Sequence, residues 1–589
     1  MNKKILLLVA FSLCLLSSEN NNTKNSTIQR EYRLIILTSE KIDKDKIAEI
    51  VGAKDEGFFS SKKVLKEEFV KLLKPSIKNY LENQGYFDSV IKVEKSDDKI
   101  VVDIRENEPV KVTDIKLKTN IDLKKIIDWK RGDIFAPERF NNIKDEIINK
   151  LLEDGYCQYK ITSKAYVDLK LHSAKLKYDI DKNVPCYFGN IKLSHKPKDI
   201  KKRVIASRIK FKKGDRFSIK AINDSYNELN KLNTFANIKI AYDLETNSTK
   251  IDTDVSLDKR SKLRRYSVAL GVDSVIGFRA KALWEKRNFF GNAKKFTIQT
   301  ELSKSVQSLE AKLFAPAFIA VYDNYFDFYI SSGYRKEEQK GFKERKFFID
   351  SYLDYNNKEW NVKAGLGLEN LQIDLKEDLP SVIGGTFNLL YPYMKVTYDK
   401  RDSKIDPKNG IYISAYLEYG ISPNHDGVQY LKYLLEGRAI KTFDDYNDLT
   451  LSVVAKIGAI HEVSGKLPAS RLFYGGGLFS NRAYGRDKLG IITSSKTFRG
   501  LGGKSFLNLQ LEANYKIYKK IYGAVFFDST IINEKEYSFS GPRIDTVGFG
   551  IRYKTPIGPI KLDVGFNIHN KKDYAISVML GQSFWKSFL

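Results

Sequence analysis

The chain has 589 residues, a formal net charge of +27, 29% charged residues and three cysteines. That length accommodates several domains of ordinary size, and three cysteines exclude a disulfide-dense secreted scaffold. No apolar run reaches the roughly 18 to 20 residues of a membrane-spanning helix, which excludes a polytopic helical membrane protein. Composition is uneven along the chain. Residues 1–257 hold 22 of the 73 aromatics and 7 of the 37 glycines, so residues 258–589 hold the other 51 and 30.

At the N-terminus Lys3 and Lys4 precede an apolar run from Ile5 to Leu16, and small polar residues begin at Ser17 and Ser18. A basic start, a short apolar stretch and a polar boundary read as a secretory signal peptide over 1–18, with a buried N-terminal helix as the alternative. Leu13 stands where a lipobox ending in Cys14 needs a small residue, which disfavours lipidation. Export places the chain in an oxidising compartment and sets nucleic acid aside as a partner.

After residue 30, strand-like and helix-like patterns alternate in the order β-α-α-β-β. Tyr32 to Thr38 reads as a strand, and the second of two helical stretches runs near Val64 to Asn83. Gly85-Tyr86-Phe87 and strands near Ser89 to Val93 and Ile100 to Ile104 follow. The pattern recurs. Val110 to Leu117 is a strand, Arg131-Gly132-Asp133-Ile134-Phe135 opens a helix to Leu152, and Gly155-Tyr156 leads into two strands. In a third copy Lys213-Gly214-Asp215-Arg216-Phe217 opens a helix to Lys231. A recurring unit of this size predicts an array of small α+β modules over 31–107, 108–183 and 184–257, against the alternative of unrelated α+β domains. Gly after a helix supplies a left-handed cap, and the following aromatic fills the layer between helices and sheet. Cys157 and Cys186 flank the last two strands of the second module. With a turn near His172 they would face each other, and a disulfide and two buried thiols both remain open.

Asp258 to Arg265 contains five basic residues, Lys259, Arg260, Lys262, Arg264 and Arg265. This collar reads either as a site for lipid phosphates at the membrane surface or as a solvated linker. From residue 264 the period is two. Leu507, Leu509, Leu511, Ala513, Tyr515 and Ile517 alternate with Asn508, Gln510, Glu512, Asn514 and Lys516. Ile560, Leu562, Val564 and Phe566 alternate with Lys561, Asp563, Gly565 and Asn567. One apolar and one polar face predict strands. A soluble sandwich shows the same alternation, but these apolar faces are long, uncharged and rich in aromatics. A charge on a lipid-facing strand costs about 2–4 kcal/mol at the bilayer midplane. Residues 264–589 therefore predict a transmembrane β-barrel, and roughly 20 residues per strand and loop gives about 16 strands.

Several motifs sharpen this reading. Asp399-Lys400-Arg401-Asp402 followed by Asp406-Pro407-Lys408-Asn409-Gly410 resembles the D-x-R-D…D-P-x-x-G periplasmic turn of the BamA/TamA superfamily of outer-membrane assembly factors. Thr555 to Pro559 resembles another such turn, and Tyr574 to Phe584 the terminal strand. The modules are similar to POTRA domains, whose sheet edges are able to add a strand from a passing chain. Three of them ahead of a barrel make the chain most similar to the TamA type.

The segment from Arg471 to Ser505 resembles the family's sixth extracellular loop, which folds into the lumen with a [V/I]-R-G-[F/Y] tip. Arg482 and Tyr484 match that tip, whereas Asn481 and Ala483 depart from it. The resemblance implies that Arg482 pairs with an acidic residue of a neighbouring strand, for which Asp528 in Phe526-Phe527-Asp528-Ser529-Thr530 stands in the matching position. It also implies a weak seam between the first and last strands, here with Tyr266 and Gly271 in one and Gly581 and Phe584 in the other. Further implications are a bacterial outer-membrane location, contact with outer-membrane lipid, unfolded outer-membrane proteins as clients and a TamB-like inner-membrane-anchored partner. The alternative is a two-partner-type secretion pore for one dedicated exported protein. No H-E-x-x-H, no G-x-S-x-G and no metal-ligand spacing of the five histidines occurs, so neither enzymatic chemistry nor a cofactor is expected.

Overall fold

The computed structural model describes residues 31–39, 42–56, 62–244, 248–273, 277–357, 359–377, 379–424, 427–443, 448–495, 497–518, 520–555, 558–570 and 572–580. The signal peptide, Gly581 and Phe584 lie outside the described residues. The chain forms two compact units. One is Met1–Asn190 with Lys213–Lys220 and Tyr242–Thr253, and the other is Ile191–Lys212 with Ala221–Ala241 and Asp254–Leu589. Segments of the third predicted module thus belong to the second unit.

In the first module, strand Glu31–Leu37 pairs in parallel with Lys99–Arg105 and antiparallel with Lys63–Lys66. Val64 and Leu65, expected to begin a helix, extend this sheet instead, because the Leu65 side chain completes the core. Helix Leu73–Asn83 follows and buries Leu73, Ile77 and Leu81 at helical spacing. The second module is a three-stranded sheet with Ser173–Asp181 in the centre, between Lys111–Thr119 and Lys160–Asp168. Its helix Pro137–Glu153 starts on a proline at its first position and buries Phe140, Ile143, Ile147 and Leu151. The other expected helix is one turn, in which the Ile126 and Ile127 amides donate to the Leu123 carbonyl at 2.9 and 2.8 Å. Too few residues separate Thr119 from Trp129 for more, and Trp129 is itself tied to the sheet by its indole N–H to the Tyr178 hydroxyl at 3.0 Å. Burial pushes that hydroxyl up to about 12.

The two recurring motifs meet at the joints between modules. The Gly85 carbonyl accepts from the Val110 amide at 3.0 Å, and the Val110 carbonyl accepts from the Phe135 amide at 2.8 Å. One module on, the Gly155 carbonyl accepts from the Cys186 amide at 2.8 Å, and the Cys186 carbonyl accepts from the Phe217 amide at 2.9 Å. Gly85 and Gly155 have φ of +94° and +82°. A Cβ there would lie 2.4 Å from the Phe135 carbonyl oxygen in the first case and 2.8 Å from that of Phe217 in the second. The glycine is therefore a helix cap and also the surface on which the next module's Gly-Asp-x-Phe segment rests. Phe87, two residues past Gly85, packs against the second module's core. Two residues past Gly155 stands Cys157, which the structure joins to Cys186 by a disulfide with a Cα–Cα distance of 5.9 Å. The bond spans the hairpin that turns at His172 and fastens the second joint at the position where the first uses apolar packing.

The second unit contains a 16-stranded antiparallel sheet whose order is the chain order. Its strands are β1 (Arg264–Asp273), β2 (Gly277–Arg287), β3 (Lys295–Ser303), β4 (Val306–Val321), β5 (Asn324–Glu338), β6 (Phe342–Asn357), β7 (Trp360–Leu375) and β8 (Gly385–Asp399). They continue as β9 (Gly410–Ser422), β10 (Val428–Phe443), β11 (Leu449–Ser464), β12 (Ser505–Tyr518), β13 (Ile521–Asn533), β14 (Ile544–Tyr553), β15 (Ile560–Asn567) and β16 (Tyr574–Leu580). The predicted alternation is realised. Leu509, Leu511, Tyr515 and Ile517 are exposed on β12 while Asn508 and Gln510 are buried, and Val547, Phe549 and Ile551 are exposed on β14 while Thr546 and Arg552 are buried. A barrel of this kind turns its apolar face to lipid and its polar face to the lumen. At one end the lumen is filled by an apolar core that includes Phe387, Leu467, Leu472, Phe473, Leu489, Ile492 and Leu501. Most of these come from the segment between β11 and β12, which also pairs Leu467 and Pro468 in parallel with Val382 and Ile383 of the β7–β8 loop.

At the other end, residues 199–212 and 221–232 pack on the strand ends. Ile200, Val204, Ile205 and Leu229 share a core with Phe314 of β4 and Ala293 of the β2–β3 turn. Arg208 donates to both oxygens of Asp327 on β5 at 2.6 and 2.8 Å. Asp327 also accepts the amide of Ala317 at 2.8 Å, beside the bulge of β4. Two of the collar residues are structural here. Lys259 bonds the Asp199 carboxylate at 2.6 Å, and Arg260 donates to the Phe235 carbonyl at 3.1 Å. Burial by itself would raise the Asp199 carboxyl, but the bonds from Lys259 and Asn288 outweigh it and hold it below the usual carboxylate range.

The joint geometry separates two glycines that share a left-handed φ. A Cβ on Gly132 would have no atom within 4 Å, whereas one on Gly155 meets Arg216 and Phe217. Gly132→Ala is expected to cost about 1 kcal/mol of backbone strain, and Gly155→Ala about 2–3 kcal/mol because strain and overlap add. Urea unfolding followed by Trp129 fluorescence measures both, and equal losses would contradict the docking role.

Candidate functional site

The lumen-facing sides of β12 to β15 carry charges that a polar barrel interior has to neutralise. The segment between β11 and β12 supplies part of that neutralisation. Its tip brings Arg482, 3% exposed, against Asp528, which is fully buried on β13. The guanidinium donates from Nε to Asp528 Oδ2 at 2.9 Å and from Nη2 to Oδ1 at 2.7 Å, and the Arg482 amide donates to Oδ2 at 3.0 Å. Nη1 bonds Glu512 of β12 and lies 3.8 Å from Asp563 of β15. The Arg482 guanidinium also sits 3.5 Å from the centre of the Phe526 ring. Arg552 of β14 closes the cluster, at 2.5 Å from Asp563 and 3.3 Å from Glu512. Two arginines thus share three carboxylates, one each from β12, β13 and β15. A bidentate guanidinium–carboxylate pair inside low-dielectric surroundings fixes geometry as well as charge.

The departures from the family tip have local reasons. The Asn481 side chain accepts from the Thr546 hydroxyl at 2.7 Å and donates to the Thr530 hydroxyl at 3.3 Å and the Ile544 carbonyl at 3.2 Å. It is a polar wedge across β13 and β14, which a Val or Ile cannot provide. Ala483 does not adopt a left-handed φ, so the glycine of the family tip is not required there. Space is made on the opposite side instead. A Cβ on Gly565 of β15 would lie 2.6 Å from the Arg482 carbonyl oxygen and 3.0 Å from the Ala483 amide. The Tyr484 hydroxyl donates to Asp573 at 2.9 Å and accepts from Asn567 at 2.8 Å.

A second arginine holds the root of the same loop. Arg471 ends a short 3-10 helix, Ala469–Arg471, and its guanidinium bonds Glu369 of β7 and lies 3.5 Å from Glu418 of β9. Glu369 also accepts from Tyr391 at 2.9 Å and Lys346 at 3.2 Å, and Glu418 accepts from Tyr430 at 2.5 Å and from Tyr416. The loop therefore touches two separate stretches of wall, β7 to β9 through Arg471 and β12 to β15 through Arg482. Sequence reasoning singled out Arg482 and Asp528 but not Glu512, Arg552, Asp563 or the Arg471 cage. The available signal was a charge on the polar face of otherwise alternating strands.

The other expected site residues are placed as follows. In the turn between β8 and β9, Asp402 accepts the Lys408 amide at 2.9 Å and the Asn409 amide at 3.0 Å. The Asp406 amide donates to the Ser403 hydroxyl at 3.2 Å, one residue before Pro407. Gly410 has φ of +124°, with the Lys400 carbonyl oxygen 2.3 Å from where a Cβ would be. The spacing of the motif is that of a side-chain-capped turn. Tyr266 and Gly271 lie in β1, opposite Trp284 and Arg279 of β2, and β1 and β16 stand at the two ends of the pairing order.

Comparison with known proteins adds to this geometry. The Omp85 superfamily domain matches residues 288–584, and the POTRA family, described as surface antigen variable number repeat, matches residues 31–107. A relative named outer membrane protein assembly factor BamA, from Nitratidesulfovibrio vulgaris, is 23% identical over 572 residues, covering 91% of this chain and 70% of the relative. Among solved structures, BamA from Haemophilus ducreyi lacking POTRA domains 1–3 aligns with a TM-score of 0.51 at 13% identity, over 80% of this chain and 98% of that one. CdiB from Acinetobacter baumannii aligns with a TM-score of 0.43 at 13% identity, over 80% and 89%. The first of the two structures shows a shared fold.

Removing one partner of a buried charge cluster strands the others, at a cost of about 3–5 kcal/mol. Arg482→Ala is expected to release the loop tip, seen as faster proteolysis within 471–504 of the folded barrel. A cycle with Asp528→Ala should give a coupling above about 1 kcal/mol, and simply additive losses would argue against the pairing. Arg471→Ala should expose the same segment to cleavage while leaving the Arg482–Asp528 coupling intact.

Proposed function

Because the chain belongs to the Omp85 superfamily, we propose that it is an assembly factor of the TamA type, which inserts or folds client outer-membrane proteins. It is an outer-membrane assembly or secretion factor of that family, with its barrel in the outer membrane and its POTRA repeats in the periplasm. In the proposed mechanism the three periplasmic modules hold a client chain in extended form, and their unpaired sheet edges add client strands. The client then enters the bilayer at the seam of β1 and β16. A TamB-like partner anchored in the inner membrane would meet the modules from the other side of the periplasm.

The observation that carries this reading is the double pinning of the loop across the lumen. Arg471 and Arg482 hold it to two stretches of wall, and an apolar core fills the end of the lumen above them. Sliding a chain through the lumen would require both charge clusters to be broken. Parting β1 from β16, the two ends of the pairing order, breaks none of the ladders between consecutive strands, and Gly271 in β1 gives no side chain to packing. A secretion pore for one dedicated partner is the competing reading, and it places the route through the lumen.

The two routes predict different neighbours for a passing chain. Photo-crosslinkers at Val268 of β1 and Ile576 of β16 are expected to capture several outer-membrane proteins during assembly. Crosslinkers at Lys456 and Gln510 in the lumen are expected to capture none. Capture of a single exported protein from the lumen positions would favour the secretion pore. Undiminished assembly by a barrel whose β1 and β16 are covalently joined would count against the seam.

A further inference from the structure

On the first two strands the membrane-facing and lumen-facing sides treat charge differently. Glu285 of β2 faces the lumen, where Arg287 bonds it at 2.9 Å and Lys295 lies at 3.9 Å. On the outward side, Arg264 of β1 stands directly opposite Lys286 of β2. Directly opposed residues have Cβ atoms roughly 4.5–5.5 Å apart, and like charges in that position destabilise a ladder. Neither cation has a carboxylate partner among the described residues. Lys286 has a ring contact, with its ammonium 5.7 Å from the centre of Phe289, and Arg264 is exposed.

The next pair on the same face is Tyr266 opposite Trp284, and the one after it is Val268 opposite Ala282. Tyr266 is 72% exposed and Val268 73%, so the two cations sit at the foot of an uncovered aromatic and aliphatic strip. β1 follows directly on the periplasmic modules, so that foot lies at the periplasmic surface of the outer membrane. Of the basic collar, Lys259 and Arg260 are committed to Asp199 and to the Phe235 carbonyl, whereas Arg264 is exposed on this face.

We propose that Arg264 and Lys286 bind the headgroup phosphate of an anionic phospholipid in the periplasmic leaflet, with its acyl chains laid along Tyr266, Trp284 and Val268. The phosphate supplies the negative charge that the ladder lacks. The strip above it supplies the apolar surface that a free phosphate would not use. Guanidinium and ammonium groups beside interfacial aromatics are the chemistry that anionic headgroups meet at a membrane surface. The site rests on the outward sense of β1 and β2 and does not depend on the assembly mechanism proposed above.

Native mass spectrometry of the full-length protein in non-ionic detergent tests the assignment by titration with phosphatidylglycerol, phosphatidylcholine or inorganic phosphate. The expected result is one phosphatidylglycerol retained roughly tenfold more tightly than phosphatidylcholine. In the Arg264→Gln/Lys286→Gln variant that preference should disappear, whereas Lys304→Gln, at the opposite end of β3, should keep it. Lys286→Glu places a carboxylate opposite Arg264. It should abolish lipid retention and raise the unfolding temperature in lipid-free detergent, which separates a lost site from a lost fold. Equal retention of phosphatidylglycerol by the double variant would overturn the proposal. So would competition by inorganic phosphate at the lipid's own concentration, and so would a lowered unfolding temperature of Lys286→Glu.

Discussion

Inside a bilayer no water is present to bond a backbone amide or carbonyl, so a strand that crosses must pair on both sides. The architecture of the second unit follows from this constraint. Sixteen strands joined in chain order satisfy the interior ladders with the shortest connections and leave only the first and last strands as edges. Period-two alternation then turns every second residue outward to lipid and the rest inward. The inward set is polar and partly charged, and its buried members need partners. Something has to fill the lumen and balance that charge. The segment between β11 and β12 does both, with an apolar portion at one end and two arginines reaching the wall carboxylates below.

The same constraint gives the two edge strands their character. β1 and β16 stand at the two ends of the pairing order, and no short connection joins them as it joins consecutive strands. The loop clusters bear on this unevenly. Arg482 ties together β12, β13 and β15, close to the last strand, whereas Arg471 grips β7 and β9 on another part of the wall. Among the described residues, neither arginine bonds β1. β1 in turn carries the exposed Arg264 at its foot, opposite Lys286 of β2.

The periplasmic modules obey a different economy. Each of the first two has its own buried core, and the joints link one core to the next. Both described joints use one relay, from the Gly-aromatic turn of one module through a linker residue to the Gly-Asp-x-Phe segment of the next. Motifs that look like internal features of each repeat are halves of an interface. At one joint the linker position is Val110 with Phe87 nearby, and at the other it is a disulfide between Cys186 and Cys157. An oxidising compartment makes the second joint covalent and leaves the first to packing.

Much of this was legible in the sequence, because its signals are local. Alternation of Leu509, Leu511, Tyr515 and Ile517 with Asn508 and Gln510 specifies a strand and both of its faces without reference to any other strand. The left-handed glycines Gly85, Gly155 and Gly410 announce turns that only glycine makes cheaply. The family tip pointed to Arg482 and Asp528, although they are far apart along the chain. Only the tertiary structure decided which charges share a site. Glu512, Arg552 and Asp563 look like ordinary lumen residues until four strands are side by side, and Arg471 looks like a loop residue until Glu369 and Glu418 face it. It likewise decided that Lys259 and Arg260 are structural while Arg264 opposes Lys286, since register across a ladder is a property of two strands and not of one. Periodicity is written residue by residue, whereas electrostatic partnership depends on which strands the closed sheet brings within a few ångströms of each other.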